Sequence, residues 1–262
     1  MECPPHATDK SVSRFPPLPS TARSVAELLI LQPVPLATFP TDQPVPIPLY
    51  LKLDGDTVLC RRPGEIFDAV LRRHILESGK DRLWTPAAVR PQYLQHLQSL
   101  VLGHLRQQGG GADDPLSLLA PWLDSIQHVN PQVLERAWRT AFYGLHLAEG
   151  AGLAGSTLCQ QVVLGLLLHE IEVEQMPGGC AASIIEGYRE RIDGQGPLRW
   201  GPEKLTLPVR IACVAVAFDR KTSGADEEPR QPAFDVLRDF IAKDHGALDP
   251  RIIAGFIRIL DR

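Results

Sequence analysis

The chain has 262 residues, 44% of them hydrophobic and 22% charged, with a formal net charge of -4 and a pI near 6.1. That length buries a real core in one large domain or two small ones, and the balance of charge gives no electrostatic footprint for nucleic acid. The longest apolar run, Val162 to Leu168, is far short of the ~20 residues that span a bilayer, so no membrane insertion is expected.

Met1-Glu2-Cys3-Pro4-Pro5 lacks the basic and apolar regions of a signal peptide. The five cysteines are widely spaced without a CxxC, which reads as reduced thiols in a cytoplasmic protein. Residues 1–42 are proline-rich and, up to about residue 24, poor in apolar side chains; they are expected to be disordered. Within them Ser24 to Gln32 suits a short helix or strand, which Pro33 and Pro35 end in either case.

A small α+β module is expected over 43–106. Pro48 to Leu53 alternates with the period of a half-buried strand. Asp54-Gly55-Asp56 marks a turn, and Thr57 to Cys60 the returning strand. Ile66, Phe67, Val70, Leu71 and Ile75 fall at helical spacing over 66–78, with Gly79 as the stop. Arg82 to Trp84 suits a further strand, and Arg90 to Arg106 a helix.

The polar, glycine-rich stretch at 107–114 is the expected linker, and from 115 to 262 the pattern is helical. Val133, Leu134, Ala137, Ala141, Leu145 and Ala148 share one face of a helix ending at Gly150. Thr157 and Gln160 form a capping box before a run apolar enough to be central. Asp249-Pro250 supplies an N-cap and an N1 proline for a last helix. Its apolar stripe is Ile252, Ile253, Phe256, Ile257 and Leu260. His74, His96, His104, His128 and His146 are scattered with no partner at ligand spacing, and surface or packing roles account for them.

Glu190-Arg191-Ile192-Asp193-Gly194-Gln195-Gly196-Pro197 resembles the HHExxDGxGYP signature of bacterial HD-GYP phosphodiesterases, metal-dependent enzymes that hydrolyse cyclic di-GMP. Glu190, Asp193, Gly194 and Gly196 match, while Tyr188 and Arg189 stand at its two histidines. Leu166 to Ile171 is similar to the start of the family's LLHDIGK, with His169 in place and Glu170 at the aspartate. Arg136 to Leu153 resembles the HSxRVA…LAxxLGL helix, with Arg136 at the first histidine. Pro208 to Asp219 resembles PxxRIxxVADxFD, with Val216 at the metal-binding aspartate and Asp219 retained. His245 to Pro250 resembles the GxxFDP stretch before the last helix, and residues 45–97 are similar to the small module ahead of many such domains.

The resemblance implies a mostly α protein, a helical HD-domain-like bundle preceded by a small α+β N-terminal module. In that family, His and carboxylate side chains hold divalent metals that lower the pKa of a bound water. Here His169 remains in kind and Glu170 is a second donor, with oxygens displaced by roughly 1 Å relative to an aspartate, a large shift in a preorganised site. The implied function is therefore a non-catalytic bacterial signalling protein without a cofactor. Its implied partners are a protein of the diguanylate cyclase or response-regulator type, or cyclic di-GMP itself.

Arg136, Arg139, Arg189 and Arg191 are the candidate ligand-binding residues, because guanidinium groups in place of metal ligands pair with phosphates directly. Two other readings stand beside this one. A relocated Mn, Fe or Mg site on His169, Glu170, Glu190 and Asp193 would make the chain a metal-dependent phosphodiesterase. A purely structural scaffold would keep Asp193 to Gly196 only as a tight turn and His169 as a hydrogen-bonded core residue. No P-loop, GxSxG or HExxH motif competes.

Overall fold

The computed structural model describes residues 30–53, 55–108, 119–126, 128–224, 229–243 and 246–260. The N-terminal residues 1–29, most of the glycine-rich linker and His245 lie outside the described residues.

The first half is an α+β module. Its strands are β1 (Leu31–Pro35), β2 (Gln43–Pro44), β3 (Leu49–Leu53), β4 (Asp56–Arg61), β5 (Ile66–Phe67) and β6 (Arg82–Pro86). They form an antiparallel four-stranded sheet in the order β1-β6-β3-β4 and a two-stranded ribbon of β2 and β5. Helix α1 (Ala69–Glu77) lies between β5 and β6.

Next come α2 (Arg90–Gln108), α3 (Ala120–Ile126), α4 (Pro131–Gly150), α5 (Thr157–Leu168), α6 (Cys180–Gly187), α7 (Leu207–Ser223), α8 (Ala233–Ala242) and α9 (Pro250–Leu260). The protein is thus a mostly helical bundle behind a small α+β module. None of the described helices is long and apolar enough to cross a membrane.

Three expectations need correcting. The chain enters the sheet at Leu31, inside the segment expected to be disordered, and Pro33 lies within the strand, which ends at Pro35. Among the described residues β1 is an edge strand paired with β6 alone, from Leu31 opposite Pro86 to Pro35 opposite Arg82. An edge strand accepts proline because one row of its amides needs no partner. Ile66 and Phe67 pair with Pro44 and Gln43 and are not helical. The helix begins after them, where the Asp68 carboxylate accepts the Leu71 N–H at 2.8 Å as an N-cap. In the same way Ser156, not Thr157, caps α5 by accepting the Cys159 N–H.

The boundary between module and bundle also moves. Helix α2 was assigned to the module, yet it buries Tyr93, Leu97, Val101 and Leu105 at four-residue spacing and packs along α4. One hydrophobic cluster runs from Val34 of the sheet to Phe256 of α9 without a break. Helix α4 is its axis, touching α2, α5, α7 and α9. At Gly144 the α4 backbone comes so close to α5 that a Cβ would lie 2.1 Å from a Leu166 methyl group, so any larger residue displaces Leu166. In α9 the apolar stripe is narrower than expected: Ile252, Ile253 and Phe256 are buried, but Ile257 is exposed.

Candidate functional site

Because α4 is surrounded, even its polar side chains are drawn inside. Arg139 is buried, and its Nε and Nη2 donate to the two carboxylate oxygens of Asp219 on α7, the second bond at 2.9 Å. Its Nη1 donates to Glu135 one turn earlier at 3.1 Å. Burial opposes the charge, but pairing with Asp219 and Glu135 outweighs it and holds the guanidinium protonated well above its ordinary range. A buried pair like this contributes little net stability when intact, yet losing one partner costs about 3–5 kcal/mol.

The network continues into the sheet. Arg90, at the start of α2, lies 3.5 Å from the other Glu135 oxygen and donates twice to Gln32 Oε1 on β1, at 3.0 and 2.7 Å. A continuous polar chain therefore links α7, α4, α2 and the edge strand.

These groups line a cavity of about 260 Å³ between β1 and the bundle. Arg82, Arg90, Arg136, Arg139 and Arg230 all face it, against the carboxylates of Asp81 and Glu135. Arg82 donates to Asp81 and to the Gln231 carbonyl, and Asp81 accepts the Ala233 N–H, which clamps the approach to α8 onto the start of β6. Arg230 makes no hydrogen bond or ion pair with a described residue. Partial burial lowers its pKa, and Arg82 and Arg139 nearby add to the effect while Glu135 opposes it. Gln32 Nε2 and Ser223 Oγ are buried on this wall without a hydrogen-bond partner.

Of the four arginines expected to bind ligand, Arg136 and Arg139 line this cavity and Arg189 and Arg191 do not. Arg189 is exposed, 5.1 Å from the Tyr188 ring. Arg191 pairs with Asp193 at 2.6 Å. Arg82, Arg90 and Arg230 were not legible as site residues, since they sit on separate elements in no motif.

The side chains proposed for a relocated metal site do not fit one. Metal ligands need free lone pairs aimed at one point. His169 caps the end of α5, where its Nδ1–H donates to the Leu166 carbonyl at 2.7 Å and its ring meets the Tyr188 ring edge-on. Burial lowers its pKa below the ordinary value. Glu170 pairs with Arg136 Nε at 2.5 Å, so the arginine at the first histidine position neutralises the glutamate at the aspartate position.

Glu190 is buried, and its two oxygens accept the N–H groups of Leu198 and Trp200 at 2.7 and 2.8 Å. Asp193 faces solvent, bonded to Arg191 and to the Gln195 N–H, and Arg191 holds its carboxyl down at about 2. These four residues form no shared donor cluster among the described residues, and no hydrolytic step follows from them.

One further expectation is overturned. His104 and His146, set aside as scattered, converge on Glu149. The spacing of His146 and Glu149, one helical turn apart on α4, was a signal the sequence offered.

No protein-family model matches the chain, and no curated protein matches it either. Among solved structures it is similar to one described as Bd1817, a HDG"Y"P protein from Bdellovibrio bacteriovorus. The identity is 14%, with a TM-score of 0.44, over 88% of this chain and 100% of that one.

Proposed function

We propose that this chain is a non-catalytic signalling domain of the HD-GYP kind that reads a phosphate-bearing ligand, cyclic di-GMP first, in the arginine-lined cavity. One observation carries the reading: Arg136 and Arg139, at motif positions that resemble a metal-binding helix, face the same cavity as Arg82, Arg90 and Arg230, the last without a partner among the described residues. Glu170 holds Arg136 and Asp219 holds Arg139, so both guanidinium groups are set in place on the helix that resembles the family's metal-binding one, beside Arg230, which pairs with no described residue. The resulting domain binds without hydrolysing.

At about 260 Å³ the cavity is smaller than the roughly 300–1,000 Å³ that encloses a drug-sized ligand. It therefore takes one phosphate with its sugar and leaves the bases at the rim, open to a protein partner.

The test is calorimetric titration of the full chain with cyclic di-GMP, with and without manganese. Binding is expected to be independent of metal and without turnover. Arg230→Ala removes a charge-assisted bond worth about 1.5–3 kcal/mol, which weakens binding about tenfold or more. Arg230 has an exposed side chain with only its cavity-facing part screened, and it holds no described residue by a hydrogen bond or ion pair, so this variant is expected to fold. Manganese-dependent cleavage, no binding, or binding unchanged by Arg230→Ala would each overturn the reading.

A further inference from the structure

Farther along α4 a second cleft, of about 370 Å³, opens between the module and the bundle. Its walls come from the loop after β1, including Pro40 and Thr41, from Ser99 and His104 of α2, and from Phe142 and His146 of α4. At its floor His104 Nε2 and His146 Nδ1 both reach the Glu149 carboxylate, one oxygen each, the second at 3.0 Å.

The two imidazole rings lie edge to face with centroids 5.1 Å apart, and Phe142 packs against the His146 ring at 4.6 Å. All three side chains are partly buried, with 32% of His104, 20% of His146 and 17% of Glu149 exposed. The environment is neither bulk solvent nor sealed core.

We propose that His104, His146 and Glu149 form a binding site for a divalent cation of the zinc class. One nitrogen from each histidine and one carboxylate oxygen lie within 4.8 Å of one another. A tetrahedral ion with bonds of about 2.0–2.2 Å spaces its ligands about 3.3–3.6 Å apart, so rotation of the side chains by roughly an ångström closes the site. Two imidazoles and one carboxylate form a donor set of borderline softness, which favours zinc, cobalt or nickel over magnesium or calcium.

Three protein ligands leave a fourth position open. Because both histidines line the cleft, that position faces it, available to water or an anionic ligand. The imidazole protons now directed at Glu149 move to the far ring nitrogens when metal binds, by a change of tautomer. The ion also joins α2 to α4 and so fastens the module side of the molecule to the axis of the bundle. This site shares no residue with the arginine cavity, and the two proposals stand or fall separately.

The probe is cobalt(II), added to full-length protein that has been stripped with chelator and dialysed. One cobalt per chain is expected, with the visible absorption of a four- or five-coordinate ion and displacement by an equivalent of zinc. Glu149→Gln and His104→Gln are each expected to weaken uptake at least tenfold, while His74→Gln, at an exposed position on α1, leaves it unchanged. Circular dichroism confirms that the variants fold; His104, the most exposed of the three, tolerates replacement best. Only the pale spectrum of hydrated cobalt, or uptake unaltered by both substitutions, would overturn the site.

Discussion

At the scale of single residues, the positions that resemble catalytic ones carry side chains fixed by hydrogen bonds or ion pairs. His169, bonded to the Leu166 carbonyl, is one of them. Its ring is buried, and burial lowers its pKa from the ordinary 6.5. Just below that pH the unfolded chain binds a proton that the folded one refuses, so stability falls as the solution is acidified through this range. A urea midpoint measured at about pH 7.5 and again at about pH 5.5 is expected to drop in the wild type and to drop less in His169→Gln. Equal drops would place the acid sensitivity elsewhere. Arg136 and Arg139 were legible because each occupies a register position in a motif. Arg82, Arg90 and Arg230 were not, since only tertiary packing brings a strand, a helix start and an exposed loop to one cavity.

At the scale of elements, the loop from Glu190 to Trp200 has a structural use for each residue that matches the signature it resembles. The residues that match are the ones that build the loop. Asp193 accepts the Gln195 N–H, Gly194 takes a φ of +72°, and the buried Glu190 carboxylate ties down Leu198 and Trp200. Gly196 lies against that carboxylate, where a Cβ would stand 2.6 Å from an oxygen. Gly194 has open space at the same distance.

The two glycines therefore fail differently. Gly194→Ala costs only its backbone conformation, about 1–2 kcal/mol. Gly196→Ala displaces a carboxylate held by two backbone bonds, each worth about 1.5–3 kcal/mol. A lower melting temperature is expected for Gly196→Ala than for Gly194→Ala, and the reverse order would refute this account of the loop. The sequence made this turn legible but not the caps at Asp68 and Ser156. An N-cap is set by which of two neighbouring polar residues leaves the helix, and packing beyond the helix decides that.

At the scale of the whole molecule, the module and the bundle share one hydrophobic cluster and one polar chain, from Gln32 through Arg90, Glu135 and Arg139 to Asp219. Periodicity revealed both halves but not their fusion, because the buried face of α2 reads the same whichever neighbour covers it. Calorimetry is expected to show a single unfolding transition with van't Hoff and calorimetric enthalpies in agreement. Two resolved transitions would mean that the halves are independent domains.

The prolines of β1 carry a last consequence. Pro33 and Pro35 fall on alternate positions of the outermost strand, and neither has an amide proton to offer. An extended peptide approaching this margin finds no regular row of donors, so lengthening the sheet is disfavoured at the β1 edge. Whatever docks beside the arginine cavity must be read by side chains, through charge and shape. Illicit strand-to-strand pairing of two copies through this edge is opposed by the same two rings.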